Sequence, residues 1–166
     1  MAESARYLFV GLGNPGKGYA DTRHNIGFRS LELMASKYGW VFRKAKSLHG
    51  LLAEGVIEGK KVFLLLPETY MNSSGEAVRA CVSYYDIPFS QICVVCDDIN
   101  LPFGKVRIKA TGSSGGHNGL KSLASHLGGE AYARLRLGVG DREHGDLADY
   151  VLSSFTAEEK KKLPSV

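Results

Sequence analysis

Tyr7-Leu8-Phe9-Val10-Gly11-Leu12-Gly13-Asn14-Pro15-Gly16 is a short apolar run that stops in a turn. Tyr7 to Leu12 reads as a strand, and Gly13-Asn14-Pro15-Gly16 supplies the turn residues that end it. Beyond the turn the periodicity changes. Ile26, Leu31, Met34, Ala35 and Tyr38 recur at helical spacing, with a start near Thr22 to Asn25 and Gly39 as the stop. Strand, turn and helix in that order are the repeating unit of a layered α/β domain. The same ten residues also spell G-x-G-x-x-G, the fingerprint of dinucleotide-binding folds. That fold needs a helix opening directly within the motif and an acid about 20 residues on. Here Lys17 to Asp21 intervene, and the acid at that distance, Glu32, falls inside the expected helix. A nicotinamide cofactor is not expected.

Outward from this unit the alternation continues. Leu51 to Ile57 and Val62 to Leu66 read as strands joined by Glu58-Gly59-Lys60-Lys61, with Pro67 ending the second. Asn72-Ser73-Ser74 offers N-cap chemistry for a helix carrying Ala77, Val78, Cys81, Val82 and Tyr85. Ile92 to Cys96 is a buried strand with Asp97-Asp98 at its end, and Val106 to Ala110 is another, leading into the glycine-rich stretch 112–119. Leu120, Leu123, Ala124 and Leu127 indicate a helix stopped by Gly128-Gly129, and Leu135 to Val139 a further strand. Thr156-Ala157-Glu158-Glu159 has capping-box spacing. The expected fold is α/β, a single domain over residues 1–166, with a mixed β-sheet flanked by helices on both faces.

Composition narrows the function classes. With 44% apolar and 23% charged residues the chain can form a core, so disorder is excluded. No apolar run approaches the ~18 residues that a membrane span needs. The first residues, with Glu3 and Arg6, do not form a secretory signal. Cys81, Cys93 and Cys96 are odd in number, which argues against a disulfide framework and for a reducing cytoplasm. Cys93 and Cys96 form a C-x-x-C, but residues three apart on a strand point to opposite faces, and no second pair completes a zinc site. The net charge of +4 permits a polyanionic partner without requiring one.

The chemistry-bearing residues stand at strand-to-helix junctions, where open α/β sheets bind ligands. Asn14 follows the first strand, His24 opens the first helix, Asn72 lies between a strand and a helix, Asp97 ends a buried strand, and Asn118 precedes a helix. An imidazole can take a proton from water if a carboxylate such as Asp97 fixes its tautomer and supports the imidazolium. Side-chain amides can hold the water and stabilise an oxyanion. G-x-S-x-G, H-x-x-x-H and H-E-x-x-H are all absent, so neither a serine nucleophile nor a metal is expected. His49, His126 and His144 lack such company and read as surface or packing residues. Gly115-Gly116-His117-Asn118-Gly119-Leu120-Lys121-Ser122 is not a P-loop, because Leu120 separates Gly119 from Lys121. Lys105, Arg107 and Lys109 alternate along an expected strand and share one face, which suits a phosphate-bearing substrate.

Several blocks together resemble one family. Val10 to Gly16, Tyr19, Thr22-Arg23-His24-Asn25 and Gly27 resemble the opening signature of bacterial-type peptidyl-tRNA hydrolases. Pro67-Glu68-Thr69-Tyr70-Met71-Asn72-Ser73-Ser74-Gly75, Asp97-Asp98 before Leu101-Pro102, Gly112 to Gly119 and Arg134-Leu135-Arg136-Leu137-Gly138 continue it in order. The resemblance implies hydrolysis of the ester joining a peptide to the terminal ribose of tRNA, with no cofactor and no metal. It implies His24 as general base, Asp97 as its orienting acid, and Asn14, Asn72 and Asn118 positioning substrate and water. Tyr19, Met71 and His117 would line the site, and Arg107, Lys109 and Arg136 would contact the acceptor stem and 3′ end of peptidyl-tRNA. A monomer is expected. Asn100 stands where relatives often carry an Asp, Cys96 where bulkier residues are common, and relatives usually continue through a longer terminal helix. The alternative reading is a non-catalytic RNA-binding protein on the same scaffold, of the splicing-factor type; it would not need His24, Asp97 and the three asparagines.

Overall fold

The computed structural model of the chain describes residues 5–16, 19, 22–109, 114 and 117–140. The capping box at 156–159, Lys160 to Lys162, His144, Ala110 and half of the glycine-rich stretch 112–119 lie outside these residues.

The elements follow one another as β1 (Arg6–Gly11), α1 (Ile26–Tyr38), β2 (Arg43–Ala45), β3 (Gly50–Ile57), β4 (Lys60–Pro67), α2 (Ser74–Tyr85), β5 (Ile92–Asp98), β6 (Val106–Lys109), α3 (Asn118–Leu127) and β7 (Ala133–Gly138). The strands form one mixed sheet in the order β2-β3-β4-β1-β5-β7-β6. The four central strands are parallel, and β3, β2 and β6 are added antiparallel toward the edges. Because β4 and β5 lie on opposite sides of β1, the strand order reverses there, and the carboxyl ends of β4, β1 and β5 open a crevice.

Two cores sandwich the sheet. Leu8, Val10, Phe63, Leu65, Val94 and Cys96 pack with Val78 and Cys81 of α2 and Leu120 and Leu123 of α3. The alternate strand residues, Val62, Leu64, Leu66, Val95 and Leu137, pack with Ile26, Leu31 and Ala35 of α1. Helices therefore cover both faces, as expected. The start of α1 comes very close to the sheet. A Cβ on Gly27 would stand 2.4 Å from the Val95 carbonyl oxygen, and one on Gly11 would stand 2.6 Å from the carbonyl oxygen of Gly27. Side chains at either position would lift α1, and His24 with it, off the strand ends.

Several expectations need correction. The hairpin turn is tighter than the four residues expected: Ile57 pairs with Lys60, leaving Glu58 and Gly59 at φ 51° and 77°. Positive φ at both central residues makes a turn whose twist matches the strands. β5 runs through Asp97 and Asp98, two residues beyond Cys96, with Asp97 at the strand's end as expected. No side chain of the Asn72-Ser73-Ser74 group caps α2. A 3₁₀ turn over Met71–Ser73 precedes the helix, and Ser74 Oγ donates to the Met71 carbonyl at 2.8 Å. The strand β2 and the 3₁₀ turn Lys46–Leu48 were not expected at all.

Candidate active site

The crevice is assembled from residues that follow β1 and β4, from the end of β5, and from residues at the starts of α1, α2 and α3. Asp97 stands at the end of β5, 3% exposed. His24 sits in a 3₁₀ turn, Arg23–Asn25, immediately before α1, and its Nδ1 lies 2.8 Å from Asp97 Oδ1. A carboxylate can only accept here, so Nδ1 carries the proton and Nε2 keeps its lone pair. That is the state of an imidazole ready to accept a proton. The expected pair is in place.

A second imidazole reaches the same oxygen. His117 Nε2 lies 2.8 Å from Asp97 Oδ1, and the two rings stand 4.8 Å apart at an interplanar angle of 43°. Burial by itself would push the Asp97 carboxyl up. The charge and hydrogen bonds of the histidines, His117 ahead of His24, outweigh it and hold the group well below the ordinary carboxylate value. Asp97 is therefore a carboxylate at neutral pH.

Asn14, 7% exposed, is fixed by two neighbours. Its backbone N–H donates to Asn25 Oδ1 at 2.8 Å, and Asn25 Nδ2 donates to its carbonyl at 2.8 Å. Its side-chain oxygen accepts the Met71 N–H at 2.7 Å. With Oδ1 engaged, the donor Nδ2 is the end of the amide available to a ligand. Met71 is buried, and Asn72 beside it is exposed. Asn118 is exposed at the first position of α3, next to His117. Tyr19 and Tyr70 meet edge to face, with ring centroids 6.3 Å apart, and Tyr70 is 61% exposed.

The basic residues divide into two kinds. In the β6–β7 ladder Arg107 pairs with Arg136 and Lys109 with Arg134, so all four share one face. Arg107 and Lys109 are exposed. Arg136 is largely enclosed, with Nη1 3.9 Å from Asp98 Oδ2. Arg134 is fully buried, its guanidinium 4.6 Å from the Tyr132 ring centroid.

Sequence reasoning missed Asn25, Tyr70 and the bond from His117 to Asp97. Asn25 and Tyr70 stand inside the Thr22–Asn25 and Pro67–Gly75 motifs, and an asparagine can bond both the N–H and the C=O of another residue, which is the signal available for Asn25. His24, Asp97 and His117 also have the composition of a metal-binding group, their ligand atoms lying within 4.8 Å of one another. Cys93 and Cys96 are free thiols on opposite faces of β5; burial pushes Cys96 up to about 12 and raises Cys93 as well. Among the described residues no helix is long and apolar enough to cross a membrane.

Comparisons with known proteins give the family and the fold. Residues 8–166 match the family described as peptidyl-tRNA hydrolase. A peptidyl-tRNA hydrolase from Chloroflexus aggregans is 49% identical over 162 residues, 96% of this chain and 86% of the relative. One from Clostridium beijerinckii is 50% identical over 153 residues, covering 92% and 79% of the two chains. The crystal structure of peptidyl-tRNA hydrolase from Acinetobacter baumannii superposes with a TM-score of 0.91 at 38% identity, covering 99% of this chain and 85% of the other. With residues 8–166 matching the family and relatives 49% and 50% identical over most of its length, this chain belongs to the peptidyl-tRNA hydrolase family.

Proposed function

We infer that this chain hydrolyses the ester bond between the peptide and the tRNA of peptidyl-tRNA, freeing the tRNA for reuse in translation. The observation that carries the reading is the 2.8 Å bond between His24 Nδ1 and Asp97 Oδ1, which leaves Nε2 as a base beside the crevice. In the reaction His24 Nε2 takes a proton from water as the water oxygen bonds the ester carbonyl carbon. The tetrahedral oxyanion collapses, the bond to the ribose oxygen breaks, and the proton on His24 passes to that oxygen. The products are a peptide carboxylic acid, which releases its proton to solvent and becomes the carboxylate, and a tRNA ending in a free hydroxyl. Asp97 holds the ring and supports its transient charge.

Asn14 presents Nδ2 to the carbonyl oxygen, where such a donor is worth roughly 10²–10³ in rate. Asn72 and Asn118 orient the peptide and the water, with Tyr19 and Met71 lining the approach. Arg107 and Lys109, the exposed cations of β6, take phosphates of the acceptor stem and 3′ end, and Arg136 supports them from its enclosed position beside Asp98. We assign the active form as a monomer in the cytoplasm, a compartment that keeps the three cysteines reduced. A purely RNA-binding protein would have no use for a base oriented by a buried carboxylate.

The direct test is incubation with N-acetyl-aminoacyl-tRNA and with free aminoacyl-tRNA. Cleavage of the first and sparing of the second is expected. Sparing of both would reject the reading.

A further inference from the structure

We propose that His117 is a positioning residue, locked in one tautomer by the N-terminus of α3, that acts through Asp97 and does not contact the substrate. The proposal rests on the hydrolase reading for its kinetic consequences, but the tautomer itself follows from geometry. His117 is the N-cap of α3, and its Nδ1 accepts from the Gly119 N–H at 3.1 Å and the Leu120 N–H at 3.4 Å. A nitrogen that accepts two N–H groups holds a lone pair. The proton of the neutral ring is therefore on Nε2, directed at Asp97 Oδ1.

The ring is enclosed as well as bonded. Its side chain is 7% exposed, and a Cβ on Gly119 would stand 3.1 Å from its Cε1. Leu120 and Leu123 anchor α3 in the core, so the helix holds a fixed pair of donors under the ring. Asp97 Oδ1 consequently accepts two N–H groups, one from a ring pinned by α3 and one from the ring that does the chemistry. The first sets the direction of the carboxylate, and the second inherits it. Because the proton is held on Nε2, a metal ion on His24, Asp97 and His117 would have to move it to Nδ1, against the Gly119 and Leu120 amides. The helix cap and a metal at this cluster exclude each other.

The test compares wild type with His117→Asn. Asparagine is a strong N-cap, so it can keep the first amides of α3 satisfied, but it is too short to reach Asp97. A thermal midpoint close to wild type is expected, with kcat lowered about tenfold to hundredfold and KM unchanged. The acidic limb of the kcat/KM profile should move to higher pH, because the carboxylate then acts on His24 alone. A raised KM with unchanged kcat and pH profile would make His117 a substrate contact and overturn the proposal. Nitrogen-15 NMR of the wild-type protein reads the tautomer without any variant. A proton on Nε2 with Nδ1 unprotonated supports the lock, and a proton on Nδ1 overturns it. Absence of any hydrolysis by wild type would instead reject the hydrolase reading, with the NMR result standing by itself.

Discussion

Asn25 bonds both backbone polar groups of Asn14, its oxygen taking the Asn14 N–H and its nitrogen donating to the Asn14 carbonyl, each at 2.8 Å. The turn after β1 is thereby tied to the residue next to His24. Asn14 Oδ1 then ties the same turn to Met71, so one asparagine ladder joins the loops after β1 and β4. Asn25 is 2% exposed, and truncating it strands two backbone groups. Asn25→Ala should lower stability by about 1–3 kcal/mol, read from urea denaturation, and lower kcat more than KM. Asn25→Asp, which can accept from the Asn14 N–H but cannot donate to its carbonyl, should fall between the two.

Asp97 links pH to stability. Its carboxyl is held below the unfolded-state value of about 3.9. The stabilisation is therefore fully present above that value and is lost as pH falls through the depressed folded value. Denaturation at pH 7, 4 and 2.5 should show wild type losing stability mainly below about pH 4. Asp97→Asn should be less stable than wild type at pH 7 and should show a smaller fall on acidification. An equal fall in both proteins would place the acid sensitivity elsewhere.

The cations of β6 and β7 should separate by experiment. Arg107 and Lys109 are exposed, so Arg107→Ala and Lys109→Ala should leave the melting temperature near wild type. Each should weaken substrate capture and reduce the salt slope of log kcat/KM by about 0.7–0.9. Arg136→Ala should do that and also lower stability, because it removes the enclosed partner of Asp98, which is 8% exposed. Unchanged stability in Arg136→Ala would show that the pair contributes nothing to the fold.

The thiols should be quiet. Burial pushes both Cys81 and Cys96 up to about 12, and both side chains are fully enclosed. Native protein should react with a thiol reagent at pH 8 far more slowly than protein in denaturant, with Cys93, the partly exposed one, modified first. Rapid native modification of Cys96 would contradict the packing of β5.

What the sequence shows and what it conceals have physical reasons. Helix ends were legible because Gly39 and Gly128 adopt left-handed φ values of 74° and 72°, which glycine tolerates best. β1, β4 and β5 were legible because buried parallel strands read as continuous apolar runs. β2 was not, since Arg43-Lys44-Ala45 has no apolar pattern and is a strand only through its pairing with Leu52, Leu51 and Gly50 of β3. His24 and Asp97 could be placed in one crevice because both stand at strand or helix ends, whose positions topology dictates. The attachment of His117 to the same carboxylate oxygen could not be read. A glycine-rich stretch has no periodicity from which to deduce where a ring points, and only the start of α3 fixes it. The enclosure of Arg136 was hidden for a similar reason: alternation assigns a face, but neighbouring strands decide whether that face is covered.

The role of His24 is tested most directly by comparing wild type with His24→Ala, measuring turnover of N-acetyl-aminoacyl-tRNA and equilibrium binding of the same tRNA in parallel. Loss of a positioned base should lower kcat about 10²–10⁴-fold while tRNA binding stays within about twofold, a difference of less than half a kcal/mol. Turnover that survives the substitution, or binding that falls as far as turnover, would contradict the assignment of His24 as the group that activates water.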